Sequence, residues 1–160
     1  MLVALYVTSM EKGSGKTAIC AGLGKRFLDE GKKIGYLKPI VTDIEKTGMP
    51  GSDRDTVFLK QLFSLDEPLD ILRPIISKKS NVIDSIKEAY AKDSSGKDIV
   101  FIEGPSEQYL TSGDIATALN SGVLIVEPYS QDLKKISSYS GLKQSLLGVV
   151  VNKVPKSRMK

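Results

Sequence analysis

The stretch "SMEKGSGKTAIC", Ser9–Cys20, follows the apolar run "LVALYVT", Leu2–Thr8, and leads into residues with helical spacing. Gly13, Ser14, Gly15, Lys16 and Thr17 together suit an anion. Gly13 and Gly15 can take backbone angles closed to other residues. Main-chain N–H groups at the start of a helix converge on anionic oxygens. Lys16 reaches outer phosphates, and the Thr17 hydroxyl is a ligand for Mg²⁺. The full pattern G-x-x-x-x-G-K-[ST] has a first glycine where this chain has Met10, so the loop is a variant.

Outward from this loop, apolar runs and amphipathic stretches alternate. "LVALYVT" is continuous enough for a strand buried on both faces. The next segment places Ile19, Leu23, Phe27 and Leu28 on one helical face, with Gly31 as its stop. "IGYLKP" predicts a second strand closed by Pro39. Residues 41–52 read as a loop, and "DRDTVFLKQLF" as a helix capped by Ser52 or Asp53. "ILRPIIS" reads as irregular or a short strand, and "NVIDSIKEAYAK" as an amphipathic helix. "DIVFIEG", "GVLIVEP" and "LLGVVVNKV" predict three more strands. "GDIATALN" and "QDLKKISSYSGL" supply the helical segments between them. Five strands alternating with helices predict an α/β three-layer sandwich around a mainly parallel sheet, of the P-loop NTPase type. Ligands of such sheets sit at the carboxyl ends of the strands, where Lys38, Glu103, Glu127 and Asn152 all fall.

Composition bounds the alternatives. The chain has 160 residues, 41% hydrophobic and 26% charged, enough for one domain with a real core. No stretch approaches the roughly 20 apolar residues of a membrane helix, and the apolar opening lacks a basic leader. A lone cysteine and no histidine exclude an intrachain disulfide and a Cys/His zinc site. The expected setting is cytoplasmic. The net charge of +4 resides in the last ten residues, where Lys153, Lys156, Arg158 and Lys160 face no acid. Removing those four from the 23 basic residues leaves 19, equal to the 19 acidic ones. A basic tail on a neutral domain is not the footprint of a nucleic-acid binder. The partner expected is a small-molecule nucleotide, with neither nucleic acid nor membrane.

Candidate partners for the loop follow from position. Glu103 ends "IVFIE", and Asp53 and Asp55 open a helix; carboxylates there suit Mg²⁺ held between phosphates, while helix capping is the structural alternative for both aspartates. Lys38, between a buried strand and Pro39, suits a transferring phosphoryl group or an acyl phosphate. Asn152 follows the last strand, and Pro155 stands where a guanine-reading N-K-x-D motif has its acid. Adenine is therefore favoured, so ATP and Mg²⁺ are the expected cofactors.

With these residues in hand, the chain resembles the dethiobiotin synthetase-like branch of P-loop proteins, and within it the N-terminal domain of phosphate acetyltransferases and DRTGG-domain proteins. The resemblance runs from "YVTSMEKGSGKT" through "GYLKPI", "GSDRD" and "FIEG" to "GVVVNKVP". The synthetase loop G-T-x-x-x-V-G-K-T has Ser9, Met10 and Ser14 at three of its positions here. The resemblance implies that Lys16 and Thr17 handle phosphate and metal, that Lys38 bridges phosphate and substrate, and that Asp53 and Glu103 surround Mg²⁺. It implies Asn152 as the adenine reader, and a symmetric homodimer. Synthetases of this family close a cyclic urea from ATP and CO₂, and their motif continues E-G-A-G-G. This chain has Glu103, Gly104, Pro105, Ser106, and the proline removes a backbone donor. Three readings follow: an ATP-binding domain (residues 1–160, whole or part of a longer protein) that regulates or assists another module; an ATP- and Mg²⁺-dependent ligase with Lys16, Lys38 and Glu103 in catalysis; or a structural subunit with a relic loop.

Overall fold

The computed structural model describes residues 2–43, 53–104, 112–130 and 145–159. The strands are β1 (Val3–Thr8), β2 (Ile34–Leu37), β3 (Ile40–Thr42), β4 (Ile75–Ser77), β5 (Ile99–Glu103), β6 (Gly122–Pro128) and β7 (Leu146–Asn152). The helices are α1 (Lys16–Asp29), α2 (Arg54–Leu62), α3 (Leu69–Leu72), α4 (Val82–Asp93) and α5 (Ser112–Ala118), and a 3₁₀ turn spans Lys156–Arg158.

The five longest apolar runs build one sheet in the order β2-β5-β1-β6-β7. Every pairing in it is parallel. Alternation along β1 explains the layers. Ala4 and Tyr6 point to one face, where Ile86 and Ala89 of α4 and Ile115 and Ala116 of α5 cover them. Leu5 and Val7 point to the other, against Cys20 of α1 and Leu59 of α2. Phe27 and Phe63 both stack on Phe101 of β5 with ring centroids 6.3 Å apart. The expected α/β three-layer sandwich is the fold observed.

The chain leaves β1, forms α1 and returns as β2, with β5 inserted between the two strands; β6 flanks β1 on its other side. The segment after β1 therefore lies where connections diverge to opposite sides of the sheet. That is the crevice where ligands of open α/β sheets bind.

Two local expectations change. Residues expected to begin a loop at 41 instead belong to β3, which pairs in parallel with β4 through Ile40↔Ile75 and Val41↔Ile76. The stretch "ILRPIIS" splits at Pro74 into a helical turn and β4. β-branched residues favour the extended form in both, but each strand's partner is distant in sequence. The segment "QDLKKISSYSGL", Ser52 and residues 105–106 lie outside the described residues. Among those described, no helix is long and apolar enough to cross a membrane.

α4 ends on Asp93, which is fully buried and, among the described residues, has neither carboxyl oxygen satisfied by a hydrogen bond of ordinary geometry. It lies against Gly35 of β2, where any Cβ would collide with its Oδ2. Burial, with neighbouring Glu67 adding, raises its pKa to about 7, and Lys97 opposes the shift. A carboxyl whose pKa is raised on folding favours the native state in acid. Its contribution falls as pH rises from about 4, the unfolded value, to about 7. Asp93→Asn is expected to flatten that decline and to stabilise the protein at pH 8 by about 1–3 kcal/mol. Urea unfolding of both proteins at pH 5 and pH 8 measures this, and a variant less stable at pH 8 contradicts it.

Candidate functional site

The turn between β1 and α1 is built from left-handed glycines, with φ of 72° at Gly13 and 104° at Gly15. Gly15 occupies the N-cap position of α1 without a side-chain capping bond. Gly15 thus brings no side chain of its own to the first-turn amides of α1, as suits an anion site at a helix N-terminus. Gly15 is required for a second reason, since a Cβ there would collide with Asn152 Nδ2.

Contacts from other strand ends hold the turn. Glu127 of β6, buried, accepts a hydrogen bond from Met10 N at 2.7 Å. The Met10 side chain packs, partly buried, against the core. The residue that departs from the usual glycine is thus anchored by packing and by a carboxylate. Asn152 Nδ2, at the end of β7, donates to Ser14 O at 2.9 Å, and Lys153 Nζ donates to Gly13 O at 2.7 Å. Lys153 has φ 55°, and its N–H donates to Asn152 Oδ1 at 2.8 Å, which orients the Asn152 amide. Ser14 is buried, and its Oγ has no hydrogen-bond partner among the described residues.

Lys16, only 7% exposed, donates from Nζ to Ser9 Oγ at 2.9 Å. Burial lowers its pKa, with Lys38 acting the same way, while Glu103 and Glu127 pull it up. A buried ammonium beside uncapped helix amides is a strong attractor for a polyanion.

Opposite the loop stands a compact ionic corner. Thr17 Oγ1 is 3.1 Å from both oxygens of Glu103 and 3.3 Å from Asp55 Oδ2, so its single proton serves one acceptor at a time. Lys38 Nζ sits 2.9 Å from Asp53, 3.1 Å from Asp55 and 3.6 Å from Glu103. Burial alone would lower the Lys38 pKa, but Glu103 and the bonds to Asp53 and Asp55 outweigh it and the pKa is raised. For Asp53 burial would raise the pKa; the bonds from Lys38 and Thr56 prevail and lower it. Asp53 also caps α2, accepting from Asp55 N at 3.3 Å and Thr56 Oγ1 at 2.7 Å.

Gly13, Ser14, Gly15, Lys16, Thr17, Lys38, Asp53, Glu103 and Asn152 therefore gather at one end of the sheet, as the crevice geometry requires. Within the group Asp53 faces Lys38 and its own helix, whereas Asp55 approaches Thr17. A capping residue spends its carboxylate on the first-turn amides, while the carboxylate two residues on remains available, a signal visible in "DRD". Asn152 lies against the loop itself. Tyr36, given no role from sequence, donates to Glu103 Oε2 at 3.0 Å; the spacing of two in "Y-L-K" was the available clue.

A hydroxyl and two carboxylates at Thr17, Asp55 and Glu103 present the hard oxygen donors that Mg²⁺ prefers. Among the described residues, no group of three or more His, Cys, Asp or Glu could hold a metal by itself. Mg²⁺ at nucleotide sites generally takes one or two protein carboxylates and completes its octahedron with phosphate oxygens and water.

The chain is 29% identical over 114 residues to the "ATP-dependent dethiobiotin synthetase BioD" of Caldicellulosiruptor saccharolyticus, covering 63% of this chain and 47% of that protein. It is 26% identical over 139 residues to the phosphate acetyltransferase of Nitratidesulfovibrio vulgaris, covering 76% of this chain and 19% of that one. The chain thus spans about half the length, or less, of these curated relatives. Among solved structures, the kinase domain of Escherichia coli tyrosine kinase ETK superposes with a TM-score of 0.61 at 14% identity, over 99% of this chain and 70% of that one. At that identity the match speaks to fold, which is that of P-loop NTPases. The family model described as "AAA domain" matches residues 3–159; nearly the whole chain is thereby accounted for, and the protein belongs to the AAA domain family.

Proposed function

We propose that this domain binds ATP with Mg²⁺ and acts as a nucleotide-dependent module that regulates or assists another part of a larger protein. The observation that carries the reading is the placement of Lys16 and Thr17, at the uncapped start of α1, directly opposite Glu103 and Lys38. The turn would receive the polyphosphate, with Lys16 on its outer oxygens. Thr17 and Glu103, with Asp55 or Asp53, would face the metal, which supplies charge neutralisation between phosphates. Asn152 beside the loop, with Pro155 in place of a guanine-reading acid, supports adenine as the base.

A second reading, an ATP-dependent ligase working through a phosphorylated carboxylate or carbamate, is favoured by Lys38. An ammonium held 16% exposed among carboxylates at the mouth of the phosphate site is placed to neutralise a transferring phosphoryl group. The segment Gly104-Pro105-Ser106, in place of the small residues that hold the carbamate in synthetases, weighs toward the first reading.

Thermal unfolding in Mg²⁺·ATP, Mg²⁺·GTP or neither tests the shared premise. Free ligand at a hundred times its Kd stabilises by about 2.7 kcal/mol, so a clear rise is expected with ATP and little with GTP. No rise with either nucleotide would overturn both readings. Phosphate release measured with and without a diamine plus bicarbonate then separates them, because the ligase alone requires the acceptor.

A further inference from the structure

Tyr36 and Lys38 stand two residues apart where β2 ends, a spacing that turns both side chains to one face of an extended chain. From there they reach the same carboxylate. The Tyr36 hydroxyl donates to Glu103 Oε2 at 3.0 Å, and Lys38 Nζ lies 3.6 Å from Oε1. β2 and β5 pair in parallel, Tyr36 with Phe101, so donor and acceptor are carried on adjacent backbone rails. Glu103 is thus met at both oxygens by side chains from the end of β2, while Thr17 Oγ1 lies 3.1 Å from both.

Packing does not explain the hydroxyl. Tyr36 is fully buried in the apolar cluster formed with Leu5, Val7, Cys20 and Phe101, where phenylalanine would fill the same volume. A phenol taken out of water is costly unless its hydrogen bond is used. Here the bond goes to a 4% exposed carboxylate, the charge-assisted kind.

We propose that Tyr36 is a positioning residue for Mg²⁺·nucleotide: its hydroxyl sets the direction in which Glu103 presents its carboxylate to the metal beside Thr17. On this account the "Y-L-K" spacing is a two-point clamp, with the tyrosine orienting one oxygen and the lysine balancing the charge at the other. The proposal rests on the reading that Glu103 and Thr17 face the metal of a bound nucleotide.

The test is Tyr36→Phe, which keeps the buried ring, measured by calorimetric titration of ATP with Mg²⁺ and again in EDTA. Loss of an outer partner of a metal-facing group typically weakens metal affinity by roughly 10- to 100-fold. That loss is expected for Mg²⁺·ATP, with metal-free ATP binding unchanged within about twofold. In a Glu103→Gln background the same change should add nothing, because the residue through which it acts is already altered. Equal weakening with and without metal, an effect that persists beside Glu103→Gln, or unchanged Mg²⁺·ATP affinity would each overturn the assignment. Wild-type protein that binds ATP equally well in EDTA would instead overturn the metal reading beneath it, and the assignment with it.

Discussion

Lys16→Ala is expected to weaken Mg²⁺·ATP binding by about a hundredfold or more while leaving the nucleotide-free protein nearly as stable as before. The first half follows from what Lys16 supplies. Its ammonium lies at the start of α1, 7% exposed, where a phosphate would meet it with little intervening water. Truncating one member of a desolvated charge pair costs about 2–5 kcal/mol, and the lower part of that range already corresponds to a hundredfold in Kd. The second half follows from burial, which acts against the charged form of Lys16 and lowers its pKa. In the absence of phosphate, the hydrogen bond to Ser9 and the pull of Glu103 and Glu127 offset only part of that desolvation, as the lowered pKa shows. Removing the side chain should change the unfolding free energy little, by about 1 kcal/mol or less. Titration calorimetry and urea unfolding, run on the same preparation, check the two halves. A variant that binds Mg²⁺·ATP within threefold of wild type would remove the phosphate cradle from the account.

Lys38→Met should act strongly on stability. It is expected to destabilise the metal-free protein by about 2–4 kcal/mol, because breaking a buried ionic cluster by deleting one sign leaves the other uncompensated. Glu103 would keep Tyr36 and Thr17, but among the described residues Asp53 would retain only its cap bonds and the looser contact with Arg73 at 3.9 Å. The pKa shifts set the pH window. Asp53 is lowered on folding, so its stabilisation is present above the ordinary carboxylate range and is lost as pH falls through its folded value. Lys38 is raised, so its share is present below the ordinary value of 10.5 and is lost only as pH rises through the folded one. The penalty of Lys38→Met should therefore be greatest across the neutral range and should shrink in acid, where the carboxylates protonate. Millimolar Mg²⁺ should return part of the lost stability, since the freed carboxylates are then open to a divalent ion. Urea unfolding at pH 3 and pH 7, with and without Mg²⁺, measures all three effects. A penalty independent of pH would mean that Lys38 acts through packing alone.

The pieces legible in the sequence were those whose cause is local. The left-handed glycines, the lysine and the threonine of Gly13–Thr17 are contiguous, and their chemistry depends on a strand before and a helix after. The apolar runs ending in Lys38, Glu103, Glu127 and Asn152 placed polar groups at strand ends before any pairing was known. The pieces that stayed hidden depend on what lies across a gap. β3, read as loop, and the pairing that joins it to the short strand within "ILRPIIS" depend on two three-residue segments meeting across the chain. The division of labour between Asp53 and Asp55 is decided by which of them caps α2. The hold of Asn152 on Ser14 O depends on β7 being placed beside the loop by its pairing with β6.

The sequence by itself therefore determined the anion-gripping turn, the alternation of strand and helix, and the class of fold, because backbone permissiveness and hydrophobic period act over a few neighbouring residues. Only the tertiary structure decided the partners: Lys38 among three carboxylates, Glu103 between Thr17 and Tyr36, Met10 anchored by Glu127. The physical reason is range. An ion pair or a hydrogen bond is made across a few ångströms of space, and in a parallel sheet those ångströms separate residues brought together only by long crossovers.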